Sequence, residues 1–120
     1  MRIPALIVLI ALTAPAAAES RRVVGYAGVL GEWELIADVT ETATGEFSGS
    51  ATMTHTAICT QDGPEQKTGD IRLRISSSQL NATLSLAGLE CRYSARLSDA
   101  YRGQISCPDQ PLMPLTLWVR

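Results

Sequence analysis

The chain has 120 residues, with 10 basic and 12 acidic side chains, one histidine and three cysteines, for a net charge of −2. A mildly acidic chain with scattered arginines and a single lysine lacks the basic face of a nucleic-acid binder, and no polybasic or amphipathic stretch suits a membrane surface. Abundant Gly, Ser and Thr without a helix-period stripe favour one small all-β domain.

Residues 1–18, MRIPALIVLIALTAPAAA, place one arginine before an apolar run, Ile3 to Leu12, and end on Ala16-Ala17-Ala18. That order is the layout of a secretory signal, and the apolar run is shorter than the about 20 residues of a membrane span. No cysteine follows the alanines, so nothing points to a lipid anchor. The expectation is export to a periplasmic or secreted location, with cleavage after Ala18 leaving a domain of about 100 residues.

Residues 19–31 hold Ser20-Arg21-Arg22 and three glycines and read as an N-terminal arm with at most a short strand, Val23–Tyr26. The domain proper is expected over 32–120. Trp33, Leu35, Ala37 and Val39 share one face of a first strand, Glu32–Thr40. After a turn at Thr42–Gly45, a long strand, Glu46–Cys59, sets Phe47, Gly49, Ala51, Met53, His55, Ala57 and Cys59 against a row of Ser and Thr. Small residues at Gly49 and Ala51 allow the sheet to coil. Thr60–Gly69 reads as the longest polar loop. Two further strands follow, with Ile71, Leu73 and Ile75, then Leu80, Ala82, Leu84 and Leu86, facing inward. Ala87-Gly88 makes a two-residue turn.

Leu89–Cys107 gives the clearest hairpin. Leu89, Cys91, Tyr93, Ala95 and Leu97 alternate with polar residues, and beyond Ser98-Asp99-Ala100 the set resumes with Tyr101, Gly103, Ile105 and Cys107. Pro108–Pro114 holds three prolines and must be irregular. A last strand, Leu115–Arg120, leaves Trp118 opposite Leu117 and Val119. The expected fold is an antiparallel meander of about seven strands closing into a barrel, because closure removes exposed edges; a β-sandwich is the alternative.

In an oxidising compartment two of the three cysteines pair. The Ser98–Ala100 turn sets Cys91 opposite Cys107, which favours that bridge and leaves Cys59 free, though Cys59–Cys91 and Cys59–Cys107 stay open. The same register opposes Arg96 to Arg102, a like-charge cost smaller than the gain from a cystine.

Gly31-Glu32-Trp33 resembles the GxW signature of the calycin superfamily, which includes lipocalins, avidins and small bacterial protease inhibitors. The resemblance implies a barrel whose Trp33 closes one end under an arginine near the last strand, for which Arg120 is the candidate. The chain departs from lipocalins in its shorter domain and its lack of the TDY motif and C-terminal helix.

Little points to catalysis. His55 stands about 13 Å along its strand from Cys59, too far for both to hold one metal. No Gly-x-Ser-x-Gly elbow marks a serine nucleophile. Glu32 and Glu34 are spaced like paired carboxylates but read as solvated charges. Gly63–Thr68 lacks the glycine before lysine of a phosphate loop, and the Asn81-Ala82-Thr83 sequon sits within a strand. The expectation is a binding or interaction module that is not an enzyme and uses no cofactor or metal. Its partner is a small molecule or another exported protein. For a small molecule, Met53, His55, Tyr93 and Tyr101 are the candidate lining of an inner pocket; a small barrel is otherwise filled by its own side chains. For a protein partner, the 19–31 arm and the Thr60–Gly69 loop are the contact candidates, by analogy with calycin-like inhibitors.

Overall fold

Strands whose apolar residues recur at every second position have one face to bury, and a sheet that curls until its edges meet buries that face without leaving open edges. The computed structural model describes residues 3–5, 19–61 and 63–120, with residues 57–60 described in backbone alone. The leader expected over 1–18 therefore falls, apart from residues 3–5, outside the described residues. The strands are β1 (Ser20–Ala27), β2 (Trp33–Ala43), β3 (Glu46–Thr60), β4 (Gly63–Ser76), β5 (Gln79–Leu86), β6 (Leu89–Leu97), β7 (Tyr101–Ser106) and β8 (Met113–Val119). Each pairs antiparallel with the next, and β8 returns to β1, closing a barrel. The sandwich alternative is excluded.

Three stretches differ from the sequence reading, the smallest being Pro108–Pro114, whose last two residues already belong to β8 and pair with β7. Residues 19–31 are not an arm: Ser20–Ala27 is a full barrel strand, paired along its length with β2 and, from Val23 to Ala27, with β8. Its alternation is hidden because Val24 and Tyr26 make the outward face apolar too. The inward Gly25 is a fit to its neighbour, since a Cβ there would meet the Leu117 side chain and the Thr116 carbonyl. Nor is Thr60–Gly69 a long loop, because β4 already begins at Gly63. Residues 63–68 are polar because β4 there runs past the end of β5, whose Leu86 pairs with Gly69, and so has no core to face.

The β5–β7 region forms in the expected register. Leu86 opposes Leu89, Leu84 opposes Cys91 and Ala82 opposes Tyr93; Tyr93 opposes Ile105 and Leu97 opposes Tyr101. The Ala87-Gly88 turn has positive φ at both residues, 50° and 81°, the geometry that matches the strand twist of a tight hairpin. Cys91 and Cys107 form a disulfide with their Cα atoms 4.3 Å apart, as across a non-hydrogen-bonded pair. The side chain of Cys59, expected to be free, lies outside the described residues.

The interior is one packed cluster. Val23, Leu35, Ile71, Leu84, Leu115 and Leu117 are each at most 1% exposed. Tyr93 crosses it, its hydroxyl donating toward the carbonyls of Leu115 at 2.7 Å and Tyr101 at 3.1 Å. Burial pushes the Tyr93 phenol well above its usual range, so it remains a neutral donor at physiological pH. Closing so narrow a barrel demands sharp coiling, and the inward Gly49 and Gly69 supply it: a Cβ at either would overlap the neighbouring backbone, at the Asp38 and Ser85 carbonyls respectively.

Candidate functional site

The packed cluster occupies the interior, so the surfaces open to solvent are the outer wall and the barrel's ends. The four residues expected to line a pocket sit at different levels and share no cavity. Met53 is buried between Leu35 and Lys67, Tyr93 spans the middle, and Tyr101 lies toward the other end, opposite Leu97 and Leu117. His55 reaches the rim beside the β1–β2 loop. Its ring stacks on Trp33 with centroids 4.4 Å apart and planes at 39°. Its Nδ1 is enclosed without a hydrogen bond, the Glu65 carboxylate standing 3.9 Å away. Lys67 Nζ lies 5.0 Å from the centroid of the same Trp33 ring, a favourable place for a cation.

Lys67, on β4, is thus the cation over the GxW tryptophan. Arg120 exchanges backbone hydrogen bonds with Arg22, whereas Trp33 is level with Ala27 and Leu115, five residues back along β8. The arginine and the tryptophan mark opposite ends of the barrel.

Glu32 and Glu34 form no carboxylate pair. Glu32 precedes β2 and folds back, accepting a hydrogen bond from the Leu30 amide at 2.9 Å. Its carbonyl also receives the Thr56 amide at 2.8 Å and the Thr56 hydroxyl at 2.9 Å. The Gly31 amide bonds the Gly28 carbonyl. These bonds close the β1–β2 loop over residues 28–32 and hold it against β3. The loop presents Val29 and Leu30 to solvent, 86% and 90% exposed.

Those two side chains continue a surface that runs down the outside of the barrel. In the outward row of β8, β1 and β2, Trp118 pairs with Val24 and Val24 with Ile36. One step nearer the loop stands Tyr26, whose ring meets Trp118 edge to face at 6.0 Å. Trp118, Val24, Ile36, Tyr26, Val29 and Leu30 thereby make an apolar strip along one side and over the rim. The remaining wall is polar outward, carrying Arg, Ser, Thr, Asn and Asp on β4 to β7. Polar outside and apolar inside is the reverse of an outer-membrane barrel. Exposed leucines are ordinary one at a time; here several apolar side chains lie together beside a wall whose other strands are polar outward.

Sequence reasoning missed this strip because it treated residues 19–31 as an arm. The available signal was the apolar residue at nearly every position from Val23 to Leu30, which marks a strand apolar on both faces. Among the described residues no three His, Cys, Asp or Glu side chains converge to hold a metal.

No family model, curated protein or solved structure matches the chain.

Proposed function

We propose that this protein is an exported, non-catalytic β-barrel module that docks on another exported protein through the β8–β1–β2 strip and the Val29-Leu30 loop. The carrying observation is the near-complete exposure of Val29 and Leu30 on a loop held closed by Glu32. A loop that merely connected two strands gains nothing from two apolar side chains in water, whereas a partner that covers them recovers the burial free energy, about 25 cal/mol per Å². Trp118 and Tyr26 add aromatic anchors of the kind enriched in interface centres. The filled interior favours a surface contact over an enclosed small ligand. The signal-like leader supports export, and the Cys91–Cys107 disulfide is compatible with an oxidising compartment.

The test is site-specific photocrosslinking in the native host. A crosslinking amino acid at position 30 should trap one discrete heterologous adduct, and the same group at position 97, an exposed leucine at the other end, should not. An adduct of the chain with itself, equal trapping from both positions, or none from position 30 would overturn the reading.

A further inference from the structure

The opposite side of the wall holds a concavity of about 1030 Å³, open to solvent and built mainly on the outward faces of β3 to β7. One cross-strand row forms its floor: Ser48 pairs with Arg72, Arg72 with Thr83, Thr83 with Arg92 and Arg92 with Ser106. The next row adds the amides and hydroxyl of Asn81, Ser94 and Gln104. The same second row begins with Glu46 and Arg74, whose ion pair closes that side of the concavity, and elsewhere on the wall Arg22 is matched to Asp38 and Arg102 to Asp99. Among the described residues neither Arg72 nor Arg92 forms an ion pair. Asp70 and Glu90 lie one row away, two residues along the same strands, and they bound the groove on that side by repelling an anion.

Two free guanidinium groups two strands apart, about 10 Å, separated by a hydroxyl and flanked by hydroxyls and amides, suit a ligand with regularly spaced anionic groups and many hydroxyls between them. We propose that this groove binds a linear acidic glycan, its carboxylate or sulfate groups on Arg72 and Arg92 and its hydroxyls on Ser48, Thr83 and Ser94. Guanidinium forks recognise such planar or tetrahedral oxyanions by paired hydrogen bonds. A nucleic acid fits poorly. The aromatic residues beneath the groove, Phe47 and Tyr93, point into the core, so no ring offers a stacking platform. An extended acidic peptide fits poorly too, since β4 to β7 are all paired in the sheet and leave no free strand edge to extend.

The site is distinct from the apolar strip and is tested without any protein partner. Hyaluronan octasaccharide supplies carboxylates, chondroitin sulfate octasaccharide adds sulfate, and a dextran oligomer and polyglutamate serve as neutral-sugar and acidic-peptide controls. Titration by calorimetry and by backbone amide shifts should show one or both acidic sugars binding, with shifts centred on Arg72, Thr83 and Arg92, weakening as salt rises. Arg72→Gln with Arg92→Gln should weaken that binding about tenfold or more, whereas Arg22→Gln, on the other side of the barrel, should leave it unchanged. Circular dichroism melting of each variant confirms an intact fold. Failure of both acidic sugars to bind at millimolar concentration, or binding indifferent to the two arginines, overturns the proposal. Equal binding of polyglutamate would overturn the glycan assignment in favour of a general polyanion site.

Discussion

On one side of the barrel, β8, β1 and β2 turn Trp118, Val24, Ile36 and Tyr26 outward; on the other, β4, β5 and β6 turn Arg72, Thr83 and Arg92 outward. The inward rows of both sides are alike in kind, mostly aliphatic or small with Trp33 and Tyr93 among them, because closing the barrel requires only that they fill it. The outward rows are under no such demand. Their chemistry is therefore free to reflect what each wall touches, and the two walls are suited to different contacts. Lateral position is reinforced by the ends: the charged turn at Ser98–Arg102 satisfies itself, while the Gly28–Glu32 loop uses its hydrogen bonds to hold two apolar side chains out in water.

Neighbouring residues on β8 give the sharpest way to separate wall from core. Leu117 is fully buried, and Leu117→Ala should cost about 3–5 kcal/mol by loss of transfer energy and by the cavity left. Trp118, one residue on, lies outward, so Trp118→Ala should cost only about 1 kcal/mol although it removes a larger side chain. Chemical denaturation of both variants measures the contrast; equal costs would mean that the outer row is structural. Removing the disulfide with Cys91→Ala and Cys107→Ala should cost about 2–4 kcal/mol, because the unfolded chain regains the freedom of a closed loop. Melting curves with and without reductant on the wild type should show the same loss.

The regular half of the fold was legible from the sequence. From Gln79 to Ser106, alternation, a two-residue turn and a three-residue turn set each register by local rules, and that register favoured the Cys91–Cys107 disulfide over the two other pairings left open. The β1 strand was legible only as a short segment, Val23–Tyr26, because a strand with apolar residues on both faces loses the period of two and three glycines imitate a linker. The start of β4 was obscured for the opposite reason, being polar on both faces where it outruns β5. Of the site, the sequence pointed to His55 and Trp33 singly. Their stacking, the Lys67 contact and the apolar strip depend on pairings between strands far apart in the chain, which periodicity does not encode.

The Ser98–Arg102 turn offers a smaller, pH-dependent test of the self-satisfied end. The Arg102 side chain, with help from the Ser98 hydroxyl, holds the Asp99 carboxyl below the usual carboxylate range. A carboxylate held low in the folded state adds stability above its unfolded pKa and loses it as pH falls through the lowered value. The group is fully exposed, so the effect is slight. It should appear as a low Asp99 titration midpoint by NMR, returning to the ordinary range in Arg102→Gln. An unchanged midpoint in that variant would remove Arg102 as the cause. The charge on Arg102 is then directed to Asp99 rather than toward its cross-strand neighbour Arg96, which eases the like-charge pairing in the hairpin.

The most direct test of the whole account is the folding stability of the Val29→Ser, Leu30→Ser double variant, measured by urea denaturation beside the wild type. If these side chains exist for a partner, the free protein should lose no more than about 0.5 kcal/mol, as for exposed substitutions away from caps and cores, while a crosslinking group at position 26, which should trap the heterologous adduct in the otherwise wild-type chain, should no longer do so. A loss of about 2 kcal/mol or more would show that the loop packs onto the barrel and that its apolar tips belong to the fold.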